Sequence, residues 1–334
     1  MKILFSLMIL LVATISCSPQ PSLLVPSPAL HNQKVANDAF FIDPKVDILF
    51  VIDNSGSMGV HQENLADNID LFLAAFVDRV QVDYHIGVLT TDMDSNSAEN
   101  THCCGNLVGR TKFTDRSTPD GRFVLYRNLL VGVKGSGTEK VFDPIKAALS
   151  EPRLSNQNQG FLRPDAHLAV IIITDAEDHS EENSQNLYDF LVRLKKLPEK
   201  VLAYGAIIPS DITSCARDEA EVPRRLESFL SMTVNATKNI MSLCDPNFGK
   251  SLANLGNNIA KTIASTIFLV RAPILETIEV WYGTQQIPKD PKKGWSYDVA
   301  QNAIHLGDDI VWDTSQPSGT KIRISFEPTQ FEKH

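Results

Sequence analysis

Val46-Asp47-Ile48-Leu49-Phe50-Val51-Ile52-Asp53-Asn54-Ser55-Gly56-Ser57 is the stretch that decides the fold. Its first half is an almost unbroken apolar run, the pattern of a strand covered on both faces. Its second half is short, polar and glycine-containing, and opens into a helix. Beyond it Leu65, Ile69, Phe72, Phe76 and Val80 recur at helical spacing. A buried strand, a polar turn and an amphipathic helix make the unit from which parallel sheets are assembled.

Working outward, the unit repeats. His85-Ile86-Gly87-Val88-Leu89-Thr90 reads as a second buried strand, and a polar stretch follows in which Phe123-Val124-Leu125-Tyr126 reads as a short strand. Asp143-Pro144 looks like an N-cap and first helical residue, leading into Ile145 and Leu149. Leu168-Ala169-Val170-Ile171-Ile172-Ile173-Thr174 is the most apolar strand of the chain. A helix with the stripe Leu187, Phe190, Leu191, Leu194 follows, then a strand over 201–208, a helix over 224–231, an edge strand over 240–243 and a helix bearing Leu252, Leu255, Ile259 and Ile263. Strand and helix alternating this regularly predict an α/β fold, a doubly wound and mostly parallel sheet flanked by helices. From about Pro273 the texture changes to alternating apolar and polar residues, as in Ile278-Glu279-Val280-Trp281-Tyr282 and Lys321-Ile322-Arg323-Ile324-Ser325-Phe326, which is antiparallel strand sequence. Such a region is small for a core of its own and is expected to pack against the larger domain.

Three elements fall at the C-terminal ends of core strands or just ahead of helices, where ligands gather in this architecture. They are Asp53-Asn54-Ser55-Gly56-Ser57, Thr138 within Gly135-Ser136-Gly137-Thr138, and Asp175. An Asp-x-Ser-x-Ser string alone is weak, because chance produces it readily; its placement is what gives it weight. In this order and approximate spacing the three elements resemble the metal-ion-dependent adhesion site of von Willebrand factor type A (VWA) and integrin I-type domains, over residues 46–266. The resemblance implies a Rossmann-like sheet and a divalent ion. Ser55, Ser57 and Thr138 would bind it through hydroxyl oxygens, and Asp53 and Asp175 mainly through ordered waters or by fixing those hydroxyls. Ala176 departs from the family, where Gly commonly follows the Asp; this puts loop backbone freedom in question but removes no ligand.

An all-oxygen set suits a hard cation such as Mg²⁺, or Mn²⁺. Neutral hydroxyls leave much of its charge uncompensated, so a carboxylate from a partner's Asp or Glu can complete the shell. A second acidic group, Asp92, Asp94, Glu177, Asp178, Glu181 and Glu182, is expected to be a solvated rim; an additional Ca²⁺ there is the alternative, although the glycine and terminal Glu of a calcium loop are absent.

The remaining features bound the setting. The chain has 334 residues, 43% hydrophobic and 21% charged, with a net charge of -9, and no basic stripe to track nucleic acid. Met1-Lys2 precedes an uncharged stretch with the length of a signal-peptide core rather than a membrane span. Ser16-Cys17 resembles a bacterial lipobox, with Thr14 where Leu is usual, so Cys17 is expected to carry lipid and 18–40 to form a Pro-rich tether. The expected division is therefore 1–16 signal peptide, 17–40 lipidated Cys and tether, 41–270 VWA domain and 271–334 antiparallel β region. Export places Cys103, Cys104, Cys215 and Cys244 in an oxidising compartment. The disulfide candidates are Cys215 with Cys244, which would pin an outer connection to the sheet edge, and Cys103 with Cys104.

The leading expectation is a non-enzymatic, metal-dependent protein-binding module on a lipoprotein of the cell envelope, favoured at the outer membrane. The alternatives are a structural envelope protein in which the metal only stabilises the fold, and a metal-dependent hydrolase. The last is motivated by the acidic group and His179 but lacks a base and nucleophile constellation.

Overall fold

Alternate residues of the deciding strand enter different cores: Val46, Ile48, Phe50 and Ile52 join one hydrophobic cluster, and Leu49 and Val51 join another. That is why the run is apolar throughout. The computed structural model describes residues 38–42, 44–77, 82–94, 102–212, 221–236, 239–245, 247–307, 309–317 and 320–329. The expected signal peptide, Cys17, most of the tether and Cys215 lie outside the described residues.

In chain order the elements are β1 (Asp38–Ile42), β2 (Lys45–Ile52), α1 (Gly59–Asp67), α2 (Ile69–Val77), β3 (Asp83–Thr90) and β4 (Phe113–Thr114). Then come α3 (Gly121–Leu129), α4 (Phe142–Ala148), β5 (His167–Ile173), α5 (Ser184–Lys195), β6 (Val201–Ile207), α6 (Arg224–Ser231), β7 (Ile240–Ser242) and α7 (Phe248–Ser265). The chain closes with β8 (Thr266–Phe268), β9 (Glu279–Tyr282), β10 (Gln285–Ile287), β11 (Trp295–Asp298), β12 (Ala303–Leu306) and β13 (Ile322–Phe326).

The main sheet has the order β4-β3-β2-β5-β6-β7 and is parallel except for β4, which runs antiparallel to β3. One face packs on Leu65 of α1, Phe72 of α2, Leu125 and Leu129 of α3, and Leu252 and Ile259 of α7. The other packs on Phe142 and Ile145 of α4, Leu187 and Leu191 of α5, and Leu226 and Phe229 of α6. This is the doubly wound α/β arrangement that the alternating pattern predicts.

Three expectations are corrected. Residues 123–126 are not a strand but the middle of α3; Leu125 and Leu129, four apart, are buried while Phe123 is exposed, which is helical spacing. Helix α4 starts at Phe142, one residue before the expected cap, because its first amides are capped from another segment, as described below. The β region also reaches beyond 271–334. Strand β1 pairs with β13 in the sheet β1-β13-β9-β10, and β8 pairs with β12 in the sheet β11-β12-β8. With strands borrowed from both flanks, it builds a separate cluster around Val280, Tyr282, Trp295, Ile304, Ile322 and Ile324.

At the N-terminal end of the main sheet, Asp47 is fully buried. Its carboxylate accepts from the Arg163 backbone amide at 2.7 Å, from Arg163 Nε at 2.8 Å and from Lys195 Nζ at 3.1 Å. The Lys195 side chain is also fully buried and donates to the Arg163 carbonyl at 2.6 Å. Removing the anion strands a cation in a low-dielectric interior, so Asp47→Ala is expected to lower stability by roughly 3–5 kcal/mol in urea denaturation. His167 opens β5 at the same end; burial, then Lys200 and Lys195, push its imidazole down to about 4. The unfolded chain takes up that proton near pH 6.5 and the native one only near 4, so native stability falls as pH drops through this window, by up to about 3 kcal/mol. Urea midpoints at pH 7 and pH 4.5 should show a smaller acid loss for His167→Asn than for the native chain.

Candidate metal centre

Neighbouring strands β2 and β5 hand the chain on in opposite directions, to β3 on one side and β6 on the other. A crevice opens at such a switch point, beyond the strand C-termini. Register pairs Ile52 with Ile173, so Asp53 and Thr174 emerge side by side. The Asp53 amide donates to the Ile173 carbonyl at 2.9 Å. The Asp53 carboxylate accepts from the Thr174 hydroxyl at 2.7 Å on one oxygen and from the Ser55 amide at 2.7 Å on the other. The second bond folds the chain back over Asp53, and the hydroxyls of Ser55 and Ser57 come to rest 3.2 Å apart. Asp53 is fully buried, Ser55 nearly so and Ser57 exposed, while Asp175 follows Thr174 half-buried.

The loop carrying Thr138 is tied to this turn by backbone. The Gly135 amide donates to the Asn54 carbonyl at 2.8 Å, and the Lys140 amide to the Thr91 carbonyl at 3.1 Å. A side chain on Gly135 would collide with buried Asn54, its Cβ falling 2.3 Å from Asn54 Cγ. Thr138 is exposed, and its amide donates to the Ser136 hydroxyl at 3.1 Å. The five residues singled out in the sequence thus lie on three segments, with the Asp53 and Thr138 loops bonded together and Asp175 placed by the β2–β5 register. Asp175 also adds negative potential at Asp53. Ala176 fits its place: its φ is not positive, and its amide donates to the Thr174 hydroxyl at 3.1 Å.

Two residues were not singled out in the sequence. Buried Gln62 of α1 donates to the Asp53 carbonyl at 2.9 Å and the Gly132 carbonyl at 2.8 Å, and accepts from the Gly132 amide at 3.1 Å. It stitches the first loop to the second. A signal exists in hindsight, because Gln62 is the polar member of the buried stripe Gln62, Leu65, Ala66 on α1. The other is Glu139, next to Thr138, buried with one carboxylate oxygen lacking any hydrogen-bond partner.

Electrostatically the site is anionic. Burial raises the Asp53 carboxyl above its ordinary value; the bonds from Thr174 and Ser55 oppose this, and Asp175 adds to it. Burial first, then Asp53, Glu221 and Asp175, push Glu139 up to about 7, against one backbone amide bond that lowers it.

Of the acidic group expected to form a solvated rim, Asp94 and Glu181 are exposed, whereas Asp92, Glu177, Asp178 and Glu182 are buried. Asp178 is a helix cap: one carboxylate oxygen accepts from the Val141 and Phe142 amides at 2.7 and 3.2 Å, and the other lies 3.1 Å from Arg225. The Ser180 hydroxyl accepts from the Phe142 and Asp143 amides, which completes the α4 N-terminus. Glu177 accepts from the Asp178 and Arg225 amides, and Glu182 pairs with Lys146. Buried Asp92 accepts from the Asp94 amide at 2.7 Å, and Glu181 donates its own amide to Asp143. The buried four brace loops, and among the described residues no three His, Cys, Asp or Glu are placed to hold an ion by themselves.

Cys103 and Cys104 form a vicinal disulfide beside the site, where the Cys104 amide donates to the Asp92 carbonyl at 2.8 Å. Cys244 is disulfide-bonded, and its expected partner Cys215 lies outside the described residues.

No protein-family model matches the chain, and no curated protein matches it. Among solved structures it is similar to proximal thread matrix protein 1 from the mussel byssus, at 14% identity over 69% of this chain and 51% of that one, with a TM-score of 0.41. A form of that protein with a zinc-occupied MIDAS motif matches at 14% identity, 69% and 50% coverage and a TM-score of 0.41. The pilus adhesin SpaC from Lactobacillus rhamnosus GG, in an open conformation, matches at 10% identity over 85% of this chain and 38% of that one, with a TM-score of 0.40. The chain spans about half the length of the mussel protein and less of the adhesin.

Replacing Gln62 by Leu keeps its volume but removes the side-chain partner of the buried Asp53 carbonyl and of both backbone groups of Gly132. Gln62→Leu is expected to cost about 1–3 kcal/mol in urea denaturation, and to weaken divalent-ion binding measured by calorimetry.

Proposed function

We propose that this chain is a non-enzymatic binding module of the VWA type that grips a partner protein through a divalent cation. One contrast carries the reading. Strand β2 holds a buried aspartate at its first turn of sheet, Asp47, and releases another at its end, Asp53, roughly 20 Å away. Asp47 is neutralised by Arg163 and Lys195. Asp53, together with Asp175 and Glu139, has no Lys, Arg or His within ion-pair distance among the described residues, yet it is ringed by hydroxyls. A buried anion without a counter-charge is costly, and an added cation removes the cost.

The donor chemistry fits a hard ion. Ser55, Ser57 and Thr138 offer neutral oxygens for Mg²⁺ or Mn²⁺, while Asp53 and Asp175 supply charge through water and fix the hydroxyls. The ion would supply an electrophilic position for a carboxylate from an Asp or Glu of the partner. No nucleic acid is involved in this reading.

The reading includes attachment to the bacterial envelope through lipid on Cys17, with the domain held off the outer membrane by the tether. Among the described residues no helix is long and apolar enough to cross a membrane. Metabolic labelling with a palmitate analogue should mark the native chain and leave Cys17→Ser unmarked; a labelled Cys17→Ser removes the anchor.

The central experiment is a pull-down from envelope extract with the oxidised chain from residue 38 onward as bait. Captured protein should be present with Mg²⁺ or Mn²⁺ and lost both with EDTA and with Asp53→Ala. Capture that survives both would refute metal-mediated gripping and favour contacts made by the C-terminal sheets, which have a core of their own.

A further inference from the structure

Glu139 is only 4% exposed, and its Oε1 has no hydrogen-bond partner. Backbone bonds on either side hold the loops together: the Glu139 carbonyl accepts from the His179 amide at 2.8 Å, and the next amide, Lys140, donates to the Thr91 carbonyl. The side chain is therefore fixed at the junction of the Thr138 loop and the loop after β5. The groups that press on it electrostatically are Asp53, Glu221 and Asp175, all negative. Glu221 is already occupied, accepting from the Glu177 amide at 2.8 Å and standing 3.5 Å from His179. Neighbouring buried carboxylates have found amides, hydroxyls or Arg225, whereas this oxygen has not.

An isolated carboxylate oxygen in a dry site is costly; taking up a proton relieves it, and so does facing a cation or a water held by one. We propose that Glu139 is a third anionic member of the metal centre, acting beside Asp53 and Asp175 by holding water on the ion rather than by direct ligation. The inference rests on the metal reading given above and extends it: the centre carries three carboxylates, two of them fully or almost fully buried.

A merely structural glutamate and a metal-supporting one differ in sign. Neutralising Glu139 removes a repulsive charge from the metal-free protein and an attractive one from the metal-bound protein. Thermal unfolding in EDTA and titration calorimetry with Mn²⁺ and with Mg²⁺ should be run on the native chain, Glu139→Gln, Glu139→Asp and Asp53→Ala. Glu139→Gln is expected to unfold at the same or a higher temperature in EDTA while losing about tenfold in Mn²⁺ affinity. Glu139→Asp should recover part of that loss. If Asp53→Ala abolishes uptake while both Glu139 variants stay within twofold of native affinity, Glu139 has no part in the centre and the metal reading stands. Equal destabilisation of Glu139→Gln with and without metal also overturns the inference. If the native chain takes up neither ion, the metal reading itself fails and the inference falls with it.

Discussion

The Asp53 carboxylate, taking the Thr174 hydroxyl on one oxygen and the Ser55 amide on the other, is the interaction on which the rest of the site depends. The first bond crosses the switch point from β2 to β5; the second closes the turn that brings the serine hydroxyls together. Both are charge-assisted, and both spend lone pairs on positioning rather than on neutralisation. The carboxylate is left well held but still negative. A site whose geometry is fixed in advance would have less to reorganise on binding an ion.

Around that bond the chain uses backbone to join loops that are far apart in sequence. Asn54 takes the Gly135 amide, Thr91 takes Lys140, Glu139 takes His179, and Gln62 reaches from α1 to both Asp53 and Gly132. Acidic side chains do the same further out, with Asp178 and Ser180 capping α4 and so setting where the Thr138 loop ends. A helix capped from another segment couples two loops more firmly than one capped by its own preceding residue. Displacing the Thr138 loop therefore disturbs the loop after β5 as well.

The sheet was legible because its strands are buried on both faces, and short β-branched apolar runs such as Leu168-Ala169-Val170-Ile171-Ile172-Ile173 suit that setting. The placement of the five metal-site candidates was legible because position relative to strand ends, not the string itself, selects them. Residues 123–126 misled because Phe, Val, Leu and Tyr favour strands locally, and only the burial of Leu125 with Leu129 makes them a helix. The β region misled because its partner β1 lies far from it in sequence, and pairing over such a distance leaves no periodicity to read; β8 adjoins the region but is only three residues long and begins where α7 ends. Among the carboxylates after Asp175, Glu181 is exposed as expected, while Glu177, Asp178 and Glu182 are buried, because composition cannot tell a capping Asp178 from an exposed one. Gln62 and Glu139 escaped for a related reason: a polar residue announces itself only when the burial of its side chain is known.

Three carboxylates near one ion would alter what the centre does for a partner. Each added negative charge tightens the hold on the cation and weakens the cation's remaining pull on an incoming carboxylate. The two demands conflict, and distance resolves them: anions one water away from the ion contribute to its retention while leaving neutral hydroxyls in contact with it. Burial works in the same direction. Burial and the nearby Asp53 both disfavour the charged form of Glu139, so an ion bound there would also relieve the fold. Metal affinity, loop order and partner affinity then form one linked equilibrium, in which a partner that favours the loaded state raises metal affinity by the same factor that metal raises its own.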